Sequence, residues 1–174
     1  MYEKTIIIPE KIKMEVVNST VKVEGPKGSL ERKFVVAKDV KIEKADNKIR
    51  VFSEIEKKKV KALIGSIIAH VNNMITGVTT GFTSKLRVVF SHFPVTVKVE
   101  GNNVLIQNFL GERTARTAKI VGKTEVKIGG ADITVSGISA EDVGQTASNI
   151  EQATRIVGYD RRRFMDGIYL VGKK

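Results

Sequence analysis

The stretch Val16-Val17-Asn18-Ser19-Thr20-Val21-Lys22-Val23-Glu24-Gly25-Pro26-Lys27-Gly28 returns in outline as Val99-Glu100-Gly101-Asn102-Asn103-Val104-Leu105-Ile106-Gln107-Asn108-Phe109-Leu110-Gly111. Val21 falls on Val104, Val23 on Ile106 and Gly28 on Gly111, each 83 positions apart. Further on, Ile49 and Val51 match Ile133 and Val135 at 84, and Val60 matches Val143 at 83. Identities are few; the apolar pattern is what repeats. Such self-similarity predicts two copies of one small domain, residues 1–82 and 83–174.

Each copy reads as strands followed by one helix. Lys13 to Val17 and Val21 to Glu24 alternate apolar and polar residues, the period of a half-buried strand. Asn18-Ser19 and Pro26-Lys27-Gly28 carry turn chemistry. Val40 to Glu43 and Lys48 to Phe52 form a further pair around Ala45-Asp46-Asn47. The period then changes: Val60, Leu63, Ile64, Ile67, Ile68 and Val71 lie at helical spacing on one wide apolar face. Ser53 to Glu56 and Ser139 to Asp142 fit capping boxes at the starts of the two helices. Gly77, in the threonine-rich join between the copies, is the expected left-handed cap. An antiparallel-rich sheet covered by one helix, duplicated in tandem, gives an α+β fold.

Composition narrows the function. The chain has 174 residues, 30 Lys+Arg against 19 Asp+Glu and a net charge of +11, which favours a polyanionic partner. A hydrophobic fraction of 41% supports a packed core. No apolar run approaches the roughly 20 residues of a membrane span, and no signal peptide is recognised, so no membrane partner and a cytoplasmic location are expected. With no cysteine there is no thiolate nucleophile or cysteine metal site.

Catalytic motifs fail on inspection. Gly122-Lys123-Thr124 resembles the end of a phosphate-binding loop, but the glycine required five positions earlier is Thr117. Gly25-Pro26-Lys27-Gly28 satisfies a GxxG pattern, yet strand patterns flank it, so a hairpin turn is the better reading. His70 and His92 have no second ligand at metal spacing and no positioned partner for general-base work. His70 reads as a packing or surface residue on the long helix, and His92 as a turn residue, with RNA contact as the other reading. Neither an enzyme, nor a cofactor, nor a small-molecule substrate is expected.

The basic charge is unevenly made. Residues 1–82 carry a net +6, mostly lysines interspersed with glutamates, as on a solvated sheet face. Residues 83–174 carry a net +5, of which +4 lies in the last twenty residues. There four of the six bases are arginines, whose planar fork grips phosphate bidentately. The residues expected to contact nucleic acid are Arg113, Arg116, Lys119, Arg155 and the run Arg161, Arg162, Arg163, with Lys85, Arg87, Lys173 and Lys174 as further members. Aromatic residues are scarce, seven Phe and three Tyr with no Trp, which favours a folded RNA surface over a single strand. Tyr159 and Phe164 flank the triplet, placed to stack or to pin the tail.

The join Asn73-Met74-Ile75-x-Gly77-Val78-Thr79-x-Gly81-Phe82-x-x-Lys85-Leu86 resembles the interdomain signature of the large-subunit ribosomal protein number six family. Val143-Gly144-Gln145-Thr146-Ala147-Ser148-Asn149-Ile150 is similar to that family's second-domain helix. Phe109-Leu110-Gly111-Glu112 and the ending Arg163-Phe164-Met165-Asp166-Gly167-Ile168-Tyr169 resemble its archaeal and eukaryotic branch. The Lys/Gly-rich ending of bacterial members is absent, so contacts of that tail do not transfer by position. The resemblance implies a tandem α+β duplication and a structural role in the large ribosomal subunit. It further implies binding of large-subunit (23S-type) rRNA near the base of the acidic stalk and the translation-factor site, with neighbouring ribosomal proteins as partners. The second domain and tail are then expected to make most of the RNA contact. The alternative that composition leaves open is a nucleic-acid module outside the ribosome, an architectural protein or RNA chaperone.

Overall fold

A computed structural model describes residues 2–34, 40–45 and 48–173. The chain divides into two compact units, Met1–Gly81 and Phe82–Lys174. In the first, β1 (Tyr2–Ile7), β6 (Lys48–Ser53) and β5 (Val40–Ala45) form one antiparallel sheet in the order β1-β6-β5. A second sheet is made of β2 (Lys13–Val17), β3 (Thr20–Gly25) and β4 (Gly28–Lys33). Its helix, α1 (Lys58–Thr79), packs on β1, β3, β4 and β6.

The second unit repeats this plan. The sheet of β8 (Thr96–Glu100), β9 (Asn103–Gln107) and β10 (Arg116–Lys119) matches β2-β3-β4. β7 (Phe82–Val89), β12 (Asp132–Gly137) and β11 (Glu125–Gly129) match β1-β6-β5, and α2 (Ala140–Ala153) matches α1. One strand has no counterpart: β13 (Gly167–Lys173) pairs with the other side of β7. The architecture is thus a tandem duplicated α+β domain, with the strands of each copy divided between two sheets rather than gathered in one.

The 83–84 residue offset is an offset between cores. Val21 and Val104, Val23 and Ile106, Ile49 and Ile133, Val51 and Val135 are all fully buried, and Val60 and Val143 are nearly so. Period-2 alternation places these side chains inward on each strand, and the helix stripe closes over them. α1 is long and apolar enough to match a bilayer by length and composition. Its stripe of Val60, Ile64, Ile67, Val71, Met74 and Val78 is instead buried in the core of the first unit.

Three local expectations are revised or refined. Ser53 does not cap α1: it closes β6, its Oγ accepting from the Ile55 N–H at 3.1 Å, and the helix starts at Lys58 with Lys57 as an uncapped N-cap. Ser139 does cap α2, accepting from the Asp142 N–H at 3.3 Å. Gly77 lies buried inside α1 rather than ending it. The Thr79 and Thr80 hydroxyls bond back to Ile75 and Thr76 carbonyls and carry the helix on, and Gly81, at φ +77°, takes the left-handed position. Asp46 and Asn47, read as a turn, lie outside the described residues.

Gly25-Pro26-Lys27-Gly28 joins β3 to β4 as a hairpin, with Gly25 opposite Gly28. This turn docks on the end of α1: the Lys27 N–H donates to the Val78 carbonyl at 3.0 Å. A Cβ on Gly25 would lie 2.7 Å from Val78 Cγ2 and 3.0 Å from the Val78 oxygen, so no side chain fits there. Gly25→Ala should destabilise the protein by about 1–3 kcal/mol through overpacking, read by urea unfolding. A variant with the parent's midpoint would show that the hairpin shifts without strain.

Candidate nucleic-acid interface

The candidate interface lies where α2 ends. Its C-cap, Thr154, is 4% exposed, and its Oγ both donates to the Glu151 carbonyl and accepts from the Ile168 N–H at 3.0 Å. The chain then makes a tight turn. Asp160 Oδ1 accepts from the Arg162 N–H at 3.0 Å, and the Asp160 carbonyl accepts from Arg163 and Phe164 at 3.0 and 2.9 Å. An aspartate opening a turn in this way needs no help from the residues that follow. Arg161, Arg162 and Arg163 are therefore free to be arginines, and all three are exposed.

Rings hold this turn to the rest of the unit. Phe164 sits 4.9 Å from Tyr159 and 5.1 Å from His92, centroid to centroid. Beside them the Ser91 hydroxyl donates to Asp166 Oδ1 at 2.8 Å and approaches His92 Nδ1 at 3.0 Å. Asp166 is only 1% exposed, and its Oδ2 has no hydrogen-bond partner among the described residues. His92 thus belongs to the packing that pins the ending. His70 packs 6.2 Å from Phe34 in the first unit.

Arg116 plays a different part from its neighbours. Its Nε and NH2 donate to both oxygens of Glu112 at 2.8 and 2.6 Å, its NH1 donates to the Ala153 and Arg155 carbonyls at 3.0 Å each, and the guanidinium lies 4.5 Å over the Phe109 ring. Each guanidinium nitrogen of Arg116 thus has an internal partner near the end of α2. The Arg116 hydrogen bonds hold the Glu112 carboxyl below its ordinary value, against a smaller opposing effect of burial. The pairing therefore stabilises the fold fully above the unfolded carboxyl value, and that stability is lost as pH falls through the lower folded value. Between about pH 6 and about pH 3, the parent's melting temperature should drop further than that of Glu112→Gln. Parallel curves would mean that the pair adds nothing measurable.

Among the described residues the side chains of Arg113, Arg155, Arg161, Arg162 and Arg163 form no hydrogen bond or ion pair, and all five are exposed. Lys119 is exposed on β10, at the edge of its sheet. Lys85 and Arg87 lie on the outer face of β7, where Arg87 is paired with Asp132 at 2.9 Å. Lys173 is exposed at the end of β13. Lys174 lies outside the described residues.

The structure brings Arg155 and Arg161 together on one groove of about 330 Å³ between the end of α2 and β13. Two lining residues escaped the sequence reading, Met165 and Tyr169, which are 63% and 44% exposed. The signal was present: exposed apolar residues set within an arginine-rich segment are the pattern of a stacking surface. Among the described residues no cluster of three His, Cys, Asp or Glu side chains is placed to hold a metal.

The family model described as Ribosomal protein L6 matches this chain twice, at residues 8–81 and 93–167, once in each unit. Among curated relatives, the large ribosomal subunit protein uL6 of Sulfurisphaera tokodaii is 48% identical over 174 residues, covering 100% of this chain and 93% of the relative. The uL6 protein of Ignicoccus hospitalis is 47% identical, with 96% of this chain and 92% of the relative covered. That of Methanosarcina mazei is also 47% identical, with 98% and 96% covered. The doubled match, the near-complete coverage and the duplicated fold lead to one assignment: the chain belongs to the ribosomal protein L6 family.

Proposed function

We propose that this chain is a structural constituent of the large ribosomal subunit, in the cytoplasm, that binds large-subunit (23S-type) rRNA. It does so mainly through the second unit, near the base of the acidic stalk and the translation-factor site, alongside neighbouring ribosomal proteins. Its family is one of structural proteins rather than enzymes. The observation that carries the RNA-binding reading is the set of arginines at the end of α2. Arg155 and Arg161 to Arg163 have no internal partner among the described residues, yet the backbone bearing them is tied down by Asp160, Thr154 and Arg116. A fixed backbone with free guanidinium groups is arranged to meet phosphates without being reorganised by them. Arg113, Lys119 and Lys173 add positive charge on the same unit, as do Lys85 and Arg87 on its outer sheet face.

The test is crosslinking of the full chain to ribosomal RNA with residue-level readout. Crosslinks from the 155–163 segment to rRNA of the stalk-base region support the reading, and crosslinks confined to the first unit overturn the assignment of the interface. Retention on the large subunit through a moderate salt wash separates a ribosomal constituent from a soluble RNA chaperone, which would be released.

A further inference from the structure

The groove beside the arginines has a shape that phosphate contact alone does not explain. Its floor is apolar, formed by the buried Ile156 and Ile168 with Phe164 and Met165. On one side stands Tyr169, held at its hydroxyl end. Its hydroxyl donates to the Met165 carbonyl at 3.1 Å, and its ring lies so close over Gly167 that a Cβ there would come within 3.1 Å of the ring. The aromatic face is thus fixed before any ligand arrives, so that little side-chain freedom remains to be lost on binding.

The rim is polar and mainly positive. Arg155 and Arg161 line it, and among the described residues neither has an acidic partner. Glu151 is the one carboxylate there, and it accepts from the Leu170 N–H at 3.4 Å. At about 330 Å³ the groove lies at the low end of small-molecule sites, roughly 300–1,000 Å³, large enough for one planar ring system and too small for a stacked run.

We infer that this groove receives a single unpaired nucleotide extruded from the bound RNA, its base stacking on Tyr169 and Met165 while Arg155 and Arg161 hold the flanking phosphates. The inference rests on the RNA-binding function proposed above and names the feature of the RNA that this surface reads. One pinned ring with two arginines fits one splayed-out base, whereas single-strand platforms present several rings in series. The absence of acidic counter-charge on the arginines favours a phosphodiester over a protein strand as the occupant.

The experiment binds the full chain to a large-subunit rRNA transcript and probes the Watson–Crick edges of unpaired bases with base-modifying reagents. The unaltered chain should protect one base that is unpaired in the free transcript. Met165→Trp, which fills the groove, and Tyr169→Ala, which removes its wall, should both lose that protection and weaken binding about tenfold. The dependence of affinity on salt should be unchanged, because neither variant removes a charge. Tyr169→Phe, which keeps the ring, should retain the protection. If both disruptive variants bind and protect like the parent, the groove assignment is overturned while RNA binding stands. The same holds if they lose only a crosslink to a neighbouring protein. If the unaltered chain does not bind the transcript, the proposed function falls as well.

Discussion

Replacing Arg161, Arg162 and Arg163 together by alanine should weaken binding to large-subunit rRNA about a hundredfold at physiological salt, near 0.15 M, and flatten the salt dependence. With about six phosphates neutralised, log affinity against log salt should fall with a slope of roughly −4 to −5; removing three contacts should bring it to roughly −2 to −3. Both numbers follow from counterion release. The variant is a fair test because the turn does not depend on these side chains: the Asp160 carboxylate and carbonyl make its hydrogen bonds with backbone N–H groups that alanine retains. Filter binding across a salt series measures affinity and slope together. A hundredfold loss with an unaltered slope would point to a structural effect, and an unaltered slope with no loss would remove the triplet from the interface.

Arg116→Ala should produce the largest loss of stability among the interface residues, about 2–3 kcal/mol, since it strips charged hydrogen bonds from two carbonyls and a carboxylate. For a unit of this size that corresponds to a fall in melting temperature on the order of 10–20 °C. The Arg116 side chain is about one-quarter exposed and its guanidinium covers Phe109, so packing is lost with the bonds. Lysine should recover little: it keeps the charge, but a single ammonium cannot reach both Glu112 oxygens and the Ala153 and Arg155 carbonyls in one plane. Affinity for rRNA should fall in the same variant, because the Arg155 backbone is released from the Arg116 fork. Calorimetry on Arg116→Ala, Arg116→Lys and Glu112→Ala, with the double variant, gives the coupling. An Arg116→Ala protein that melts within about 2 °C of the parent would be incompatible with this role.

The duplication was legible because it is written in buried positions. Val21 and Val104, or Ile49 and Ile133, have to be apolar wherever they face a core, and spacing alone recovers them. The arginines were legible as a cluster for a similar reason, since surface positions with no packing duty display their chemistry directly. Arg116 was not. Its sequence neighbourhood looks like that of Arg113, and only the return of α2 beside β10 brings the Ala153 and Arg155 carbonyls within its reach. Ser53 and Gly77 misled for a related reason: each carries a local signal for a helix end that tertiary packing overrode. β13 was missed because no strand among the described residues of the first unit corresponds to it, so the repeat offered no template for it. Residues 155–173 hold Arg155, the run Arg161 to Arg163 and most of the groove lining.

The bonds from Thr154 and Glu151 to the Ile168 and Leu170 N–H groups have a consequence for the chain before it reaches any RNA. β13 is the last strand of a four-stranded sheet, and an outermost strand with open donors invites the same strand of another molecule to pair with it. Here two of those donors are already taken by side chains from α2, at 3.0 and 3.4 Å. A register shift between Leu170 and Gly172 interrupts the ladder, and Lys173 puts a charge at its end. A second copy therefore meets few open donors along this edge, so the strand that walls the groove is also guarded against edge-to-edge pairing.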